Sequence, residues 1–498
     1  MLLRAFGNRQ CVPGGSFDIN GSGKFNDITD EYLDSLRGMS VGAVWYTGVI
    51  SHATRTSFPG IPASHPSLVK GEAGSPYAIR DYFDLDPALA VETERRMEEF
   101  LALVKRTHSA GMKVIIDFVP NHVARQYNGY FTDDNFYPLY GDLSLPCGCE
   151  GEPYVESPAR ATGNNVFSTN PSVNDWYDTV KLNYGNRETW DKMARILEFW
   201  ADKGVDGFRC DMVEMVPPEF FAYAFRRVRE KYPSLFFVAE AYGKENYRRY
   251  ADAGFDLLYD KSGFYDCLRR IVSGSGRASD LTSEWQFLGE LQPRMLNFLE
   301  NHDEQRIASD FFAGDASRSY AALAVSLLFN TAPFMLYFGQ EFGERGMESE
   351  GFSGIDGRTS IFDYCTVPSV KRFLDGRLSA AEKRTGREYH GLLKTAAGEP
   401  AFVKGGTYDL MYVNPASPSF NPDTTFVWMR GFEGRVFLLA ANFNAFPATV
   451  SVNVPPEAYS FFSIPQGPSG VNLTIAPYGY SILVCNRNSE FVEYVVKK

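Results

Sequence analysis

At 498 residues the chain is too long for one ordinary domain and has ample length for a large core. Its 44% hydrophobic content with 15% aromatics excludes disorder, and a formal charge of −12 argues against nucleic acid or an anionic membrane surface as partner. Seven scattered cysteines without paired zinc spacing point to reduced thiols, and the one tight pair, Cys147-Gly-Cys149, reads as two loop thiols.

The opening "MLLRAFGNRQC" lacks the apolar core of a signal peptide, and no apolar run reaches the roughly 18 residues of a membrane span. A cytoplasmic protein is expected, or an exported one whose leader is absent from this chain. Strand and helix signals then alternate. The apolar runs are "GGSFDI", "VGAVWYTGVI", "KVIIDFVPNH", "VDGFRCDM", "SLFFVAEAY", "FDLLYD", "RMLNFLENHD" and "APFMLYFGQE". Between them, segments such as "ITDEYLDSLRGM", "NRETWDKMARILEFWADKG" and "PPEFFAYAFRRVREKY" repeat apolar residues at three and four. Eight such units predict an α/β fold, a (β/α)8 TIM barrel.

The rhythm breaks after the third predicted strand, in some sixty residues rich in Gly, Pro, Asn and Tyr, which reads as an inserted subdomain. Past about residue 395, short runs such as "TTFVWMRGF", "RVFLLAANFN" and "YSILVCN" predict a separate all-β domain. The expected organisation is barrel over 1–122, insertion over 123–186, barrel again over 187–395, and a β-sandwich over 396–498.

In such a barrel the chemistry gathers where strands end. The third predicted strand ends in Asp117, Asn121 and His122, the fourth in Arg209 and Asp211, the fifth in Glu240, and the seventh in Asn301, His302 and Asp303. Singly, an Asp two residues from an Arg is more often a structural ion pair, and a lone His a satisfied polar residue. Asp117 keeps that structural reading, as a hydrogen-bonding residue of the barrel mouth. Together the others suggest a site.

The blocks "DFVPNH", "GFRCD", "AEAY" and "ENHD", in that order, resemble the four sequence blocks of the α-amylase family, glycoside hydrolase family 13. "YAIRDYFDLDP" from Tyr77 and "TVKLNYGN" over 179–186 resemble two further family segments. The resemblance covers nearly the whole chain and implies an inserted domain B and a C-terminal β-sandwich. It further implies retaining cleavage of α-glucosidic bonds, with Asp211 as nucleophile, Glu240 as acid/base and Asp303 gripping sugar hydroxyls. Arg209 would keep Asp211 ionised, His122 and His302 would bond to sugar hydroxyls, Tyr77 would stack under the ring, and Arg306 is a further substrate-binding candidate.

Departures matter too. Where many α-amylases carry a Lys-His pair after the nucleophile, this chain has Glu214 and Met215. A neopullulanase-like or oligosaccharide-acting branch is therefore expected rather than a starch-liquefying amylase. Glu214 either accepts bonds from an acceptor sugar or complements the helix start near Pro217. Asn121 stands where a family calcium ligand stands, with the rest of that site not recognisable in the sequence. A second calcium candidate is "DINGSGKFND", with Asp18, Asn20, Ser22 and Asn26, although an Asx-rich turn has the same pattern.

The expected substrate is an α-glucan such as maltodextrin or a starch fragment, with no organic cofactor. A transglycosylase or isomerase using the same glucosyl-enzyme, and a non-catalytic relative that kept the barrel, are the alternatives.

Overall fold

Parallel strands covered on both faces need near-continuous apolar runs, and the runs of this sequence supply them. In the computed structural model, which describes residues 1–147, 151–172, 174–351, 356–486 and 490–496, seven of them pair side by side. They are β1 (Ala43–Tyr46), β2 (Lys113–Phe118), β3 (Gly207–Cys210), β4 (Phe236–Ala239), β5 (Leu257–Tyr259), β6 (Met295–Phe298) and β7 (Phe334–Met335). They form one parallel sheet in that order, and β3 and β6 are buried at every residue. Cys149 lies outside the described residues.

The remaining barrel position lies beside β1. Leu2 bridges Thr47 in parallel, the Met1 amino group donates to the Trp45 carbonyl at 2.5 Å, and Thr47 N–H donates to the Met1 carbonyl at 2.9 Å. The strand expected over "GGSFDI" does not form. Gly14 and Gly21 take left-handed φ values of +67° and +68°, and between them the chain turns into a short helix, Phe17–Asn20. The Asn20 amide offers that backbone a local alternative to a ladder, accepting from Val12 N–H at 2.8 Å and donating to the Val12 carbonyl at 2.9 Å.

Amphipathic helices wrap the sheet, among them Asp30–Gly38, Arg96–Ser109, Arg187–Asp202 and Pro218–Lys231. Their starts follow capping rules: the Thr29 side chain accepts from Tyr32 N–H, and that of Asn186 from Glu188 N–H. The architecture is a (β/α)8 barrel with an insertion and an all-β C-terminal unit. A mostly apolar cavity of about 550 Å3 is lined by residues of several strands, among them Val44 on β1, Leu257 on β5, Leu296 on β6 and Phe334 on β7.

The insertion leaves β2 through His122–Ala124, which pairs antiparallel with Thr179–Lys181 and so closes the excursion on itself. Buried Arg125 fixes this neck, donating to the carbonyls of Tyr177 at 2.8 Å and Thr179 at 3.1 Å and pairing with Glu156. At the C-terminal end, β8 (Gly406–Asp409), β9 (Thr425–Phe432), β10 (Arg435–Asn442), β13 (Tyr480–Cys485) and β14 (Phe491–Glu493) form an antiparallel sheet. A second, two-stranded sheet joins β11 (Ala448–Asn453) to β12 (Gly470–Ile475). Arg430 on β9 staples this unit to the barrel, donating to the Leu328 and Asn330 carbonyls at 2.9 and 2.8 Å. No helix among the described residues is long and apolar enough to cross a membrane.

Candidate active site

Residues two apart on a strand share a face, so β3 directs Arg209 and Asp211 to the same side of its carboxyl end. Both are buried. Arg209 Nη1 donates to Asp211 Oδ1 at 2.6 Å, and Nη2 lies 2.6 Å from Glu240 Oε1 at the end of β4. Asp117, at the end of β2, stands 3.7 Å from the same guanidinium. Carboxylates from three neighbouring strand ends thus share one positive charge. The rings of Trp45 and Tyr77 each stand 5.3 Å from it.

Glu240 has two further contacts: Met212 N–H donates to Oε2 at 2.8 Å and the Tyr242 hydroxyl to Oε1 at 2.8 Å. Met212 takes a left-handed φ of +45°, a conformation bulky residues rarely adopt, and so turns the backbone just past Asp211 toward Glu240. Burial raises the Glu240 carboxyl to about 7, against the pull of Arg209 and with help from the negative charges of Asp211 and Asp303. Asp211 departs from expectation. Burial raises it, and Arg209, shared among three carboxylates, opposes that rise without reversing it.

Asp303 sits at the open mouth, with 41% of its side chain exposed. Burial raises it, but His302, Arg209 and Arg358 pull harder, and its carboxyl ends below the usual range. His302 Nε2 is 3.0 Å from Asp303 Oδ2 and 2.6 Å from the Tyr77 hydroxyl, and the Tyr77 ring stacks on His302 at 5.3 Å. His122 is buried under the edge of Trp176 at 5.3 Å; burial lowers it to about 4, leaving a neutral imidazole near neutral pH.

Two candidates lie otherwise than expected. Arg306 is buried, donating to Glu300 Oε1 and the Phe338 carbonyl at 2.9 Å each and to the Thr359 hydroxyl at 3.0 Å; these contacts make it a packing residue. Glu214 holds the loop after β4: it accepts from Tyr242 N–H at 2.8 Å, Gly243 N–H at 3.1 Å and Asn246 Nδ2 at 2.7 Å. Neither the acceptor-sugar nor the helix-start reading describes those contacts. Glu214→Ala is expected to cost about 1–3 kcal/mol in denaturant unfolding, because three donors lose their acceptor. The ratio of hydrolysis to transfer should stay at the parent's value, and a changed ratio at parental stability would restore the acceptor role.

Sequence reasoning missed Tyr242, Trp176 and Arg358. Tyr242 was within reach, since it stands two residues after Glu240 in the quoted "AEAY". Trp176 arrives from the insertion, and Arg358 from a segment far along the chain whose approach to Asp303 no local pattern announces.

The calcium candidates have other partners. Asn20 Nδ2 also donates to the Tyr364 carbonyl at 2.7 Å, Ser22 Oγ donates to the Gly23 carbonyl at 3.1 Å, and Asn26 Nδ2 donates to Glu99 at 3.4 Å. Asp18 belongs to the short helix. The loop is built as an Asx-rich turn. At the other candidate, Lys181 Nζ donates to Asn121 Oδ1 at 2.5 Å and to the Met215 carbonyl at 2.9 Å. Among the described residues no three His, Cys, Asp or Glu side chains cluster as metal ligands. Calcium favours six to eight oxygens with carboxylates among them, so neither place fits it.

The alpha amylase catalytic-domain family matches residues 15–385. Alpha-amylase 3 of Dictyoglomus thermophilum is 24% identical over 354 residues, 66% of this chain and 62% of the relative. The cyclomaltodextrin glucanotransferase of Bacillus sp. is 24% identical over 492 residues, 92% of this chain and 61% of the relative. The chain therefore spans about three fifths of the length of these curated relatives. The crystal structure of an Anoxybacillus alpha-amylase superposes with a TM-score of 0.68 at 17% identity, covering 99% of this chain and 97% of that one, a likeness of fold. With the family match covering well over half of the sequence, the chain belongs to the alpha-amylase family through its catalytic domain.

Proposed function

We propose that this chain is a retaining glycoside hydrolase acting on α-glucosidic bonds of maltodextrin, starch fragments or related α-glucans. The observation that carries the reading is the pair Asp211 and Glu240, held at neighbouring strand ends on the two terminal nitrogens of one guanidinium, 2.6 Å from each. Carboxyls so bridged stand close together. That supports the roughly 5–5.5 Å arrangement of a nucleophile and an acid/base, rather than the about 6.5–9.5 Å that leaves room for a water between them.

In this reading Asp211 attacks the anomeric carbon while Glu240 delivers its proton to the departing glycosidic oxygen, forming a glucosyl-enzyme. Glu240, now a carboxylate, takes a proton from the water that releases the sugar. Asp303, with the lowered pKa and the exposed position, remains an anion at the mouth and fits the grip on sugar hydroxyls. The Tyr77 and His302 rings, stacked on each other, form an aromatic wall beside it.

The relatives include enzymes named as amylases and as glucanotransferases, and the matching of whole reactions follows the products rather than the fold. Proton NMR of fresh digests of maltoheptaose, with chromatography of products from pullulan, sucrose and trehalose, tests the proposal. The α-anomer should appear first and then mutarotate, with shorter maltooligosaccharides as products. Initial β-anomer, or binding of every glucan without turnover, would overturn it.

A further inference from the structure

The junction between barrel and insertion brings together Asn121, which stands where a family calcium ligand stands, and the carbonyl of Met215. Three chain segments meet there: the residues just past β2, the returning strand Thr179–Lys181, and the turn Val213–Met215 just after Asp211. We infer that the ammonium of Lys181 is the resident cation of this junction, doing with a covalently attached positive charge what a bound divalent ion would otherwise do.

The oxygens of the site are already assigned. Asn121 Oδ1 and the Met215 carbonyl both accept from Lys181 Nζ, at 2.5 and 2.9 Å. The Gly163 carbonyl, arriving from the insertion, accepts from Asn121 Nδ2 at 2.8 Å. An ammonium is a compact point charge with three donors, so it can gather carbonyl oxygens from separate segments as an ion does, without asking for carboxylates. Lys181 and Asn121 are both buried, and the backbone of Lys181 is paired in register opposite His122, which sets the ammonium's stem at the neck of the insertion. A divalent ion placed among the same oxygens would stand against a fixed positive charge. Lys181 is thereby a positioning residue: it ties the insertion to the turn that follows Asp211 and to His122 at the mouth.

The consequence is a fold indifferent to chelators, and it can be read without any assay of catalysis. Thermal unfolding of the purified chain is expected to give the same Tm in excess EDTA and in millimolar calcium. Lys181→Met, which leaves buried Asn121 Oδ1 and the part-buried Met215 carbonyl without this donor, should lower Tm by several degrees. Lys181→Asp, which adds a carboxylate to the Asn121 and Met215 oxygens, should be destabilised in EDTA and recover Tm in millimolar calcium, with saturable binding by calorimetry. The inference is overturned if the parent itself loses Tm in EDTA and regains it with calcium while Asn121→Ala abolishes that response. It is equally overturned if Lys181→Asp folds yet neither binds calcium nor gains stability from it. Because every readout is unfolding or ion binding, failure here leaves the glycosidase reading standing, and failure of that reading leaves this one.

Discussion

Asp211→Asn is expected to reduce turnover of maltooligosaccharides by about 10⁴-fold or more, the scale seen when a covalent nucleophile is removed, without loss of the fold. The amide has nearly the carboxylate's shape, so the contact with Arg209 keeps an acceptor at the same place while the attacking charge disappears. The stability effect should be neutral or favourable. Burial holds the Asp211 carboxyl above its usual range, so the native pocket resists its ionised form. A neutral amide removes that cost, as is common where a site is built against stability. Removing one negative neighbour also lets Arg209 act more fully on Glu240, so any residual activity should lose its alkaline limb at a lower pH than the parent. Activity within about tenfold of the parent, at an unchanged Tm, would refute the role of Asp211.

Much of this arrangement was legible in the sequence because it is built from local rules repeated in order. Arg209 and Asp211 share a face because they are two apart on a strand, and Glu240 joins them because the next parallel strand ends at the same edge. What stayed hidden was set by contacts between distant segments. Glu214 looked free to meet a sugar, yet its acceptors are filled by N–H groups 28 and 29 residues later, in a loop whose approach depends on β3 and β4 pairing in register. Arg306 is a site candidate in the sequence, whereas in the fold Glu300 and Thr359, six and 53 residues away, hold its guanidinium. In the sequence Lys181 is only the third residue of "TVKLNYGN". Its meaning comes from Asn121 and Met215, 60 and 34 residues away, which no periodicity connects to it. The first barrel position is hidden for a simpler reason: the single bridge of Leu2 to Thr47 carries no pattern, whereas "GGSFDI" carries a strand-like one that glycine and Asn20 turn into a helix.

Glu240→Gln should separate substrates by their leaving groups. The role assigned to Glu240 needs a proton at working pH, and burial with the neighbouring charges of Asp211 and Asp303 keeps its carboxyl near 7. For the parent, kcat/KM on a natural oligosaccharide should therefore hold below that value and fall as pH rises through it, since the deprotonated form has nothing to give the departing oxygen. Glutamine cannot supply that proton at any pH. On maltooligosaccharides the variant is expected to lose about 10²–10⁴-fold, the usual worth of general acid catalysis. An α-glucosyl fluoride leaves as a stable anion and needs little protonation, so formation of the glucosyl-enzyme from it should be nearly preserved. Its breakdown, which needs Glu240 as base, should become limiting, giving a burst of fluoride and a slow steady state that added azide accelerates. The alkaline limb near 7 should be absent from the burst. Equal losses on both substrates, or a limb near 7 that survives the substitution, would assign the proton to another group. The nearest alternative is the Tyr242 hydroxyl, which donates to Glu240 at 2.8 Å and is itself pushed above its ordinary value by burial and by the charge of Glu240.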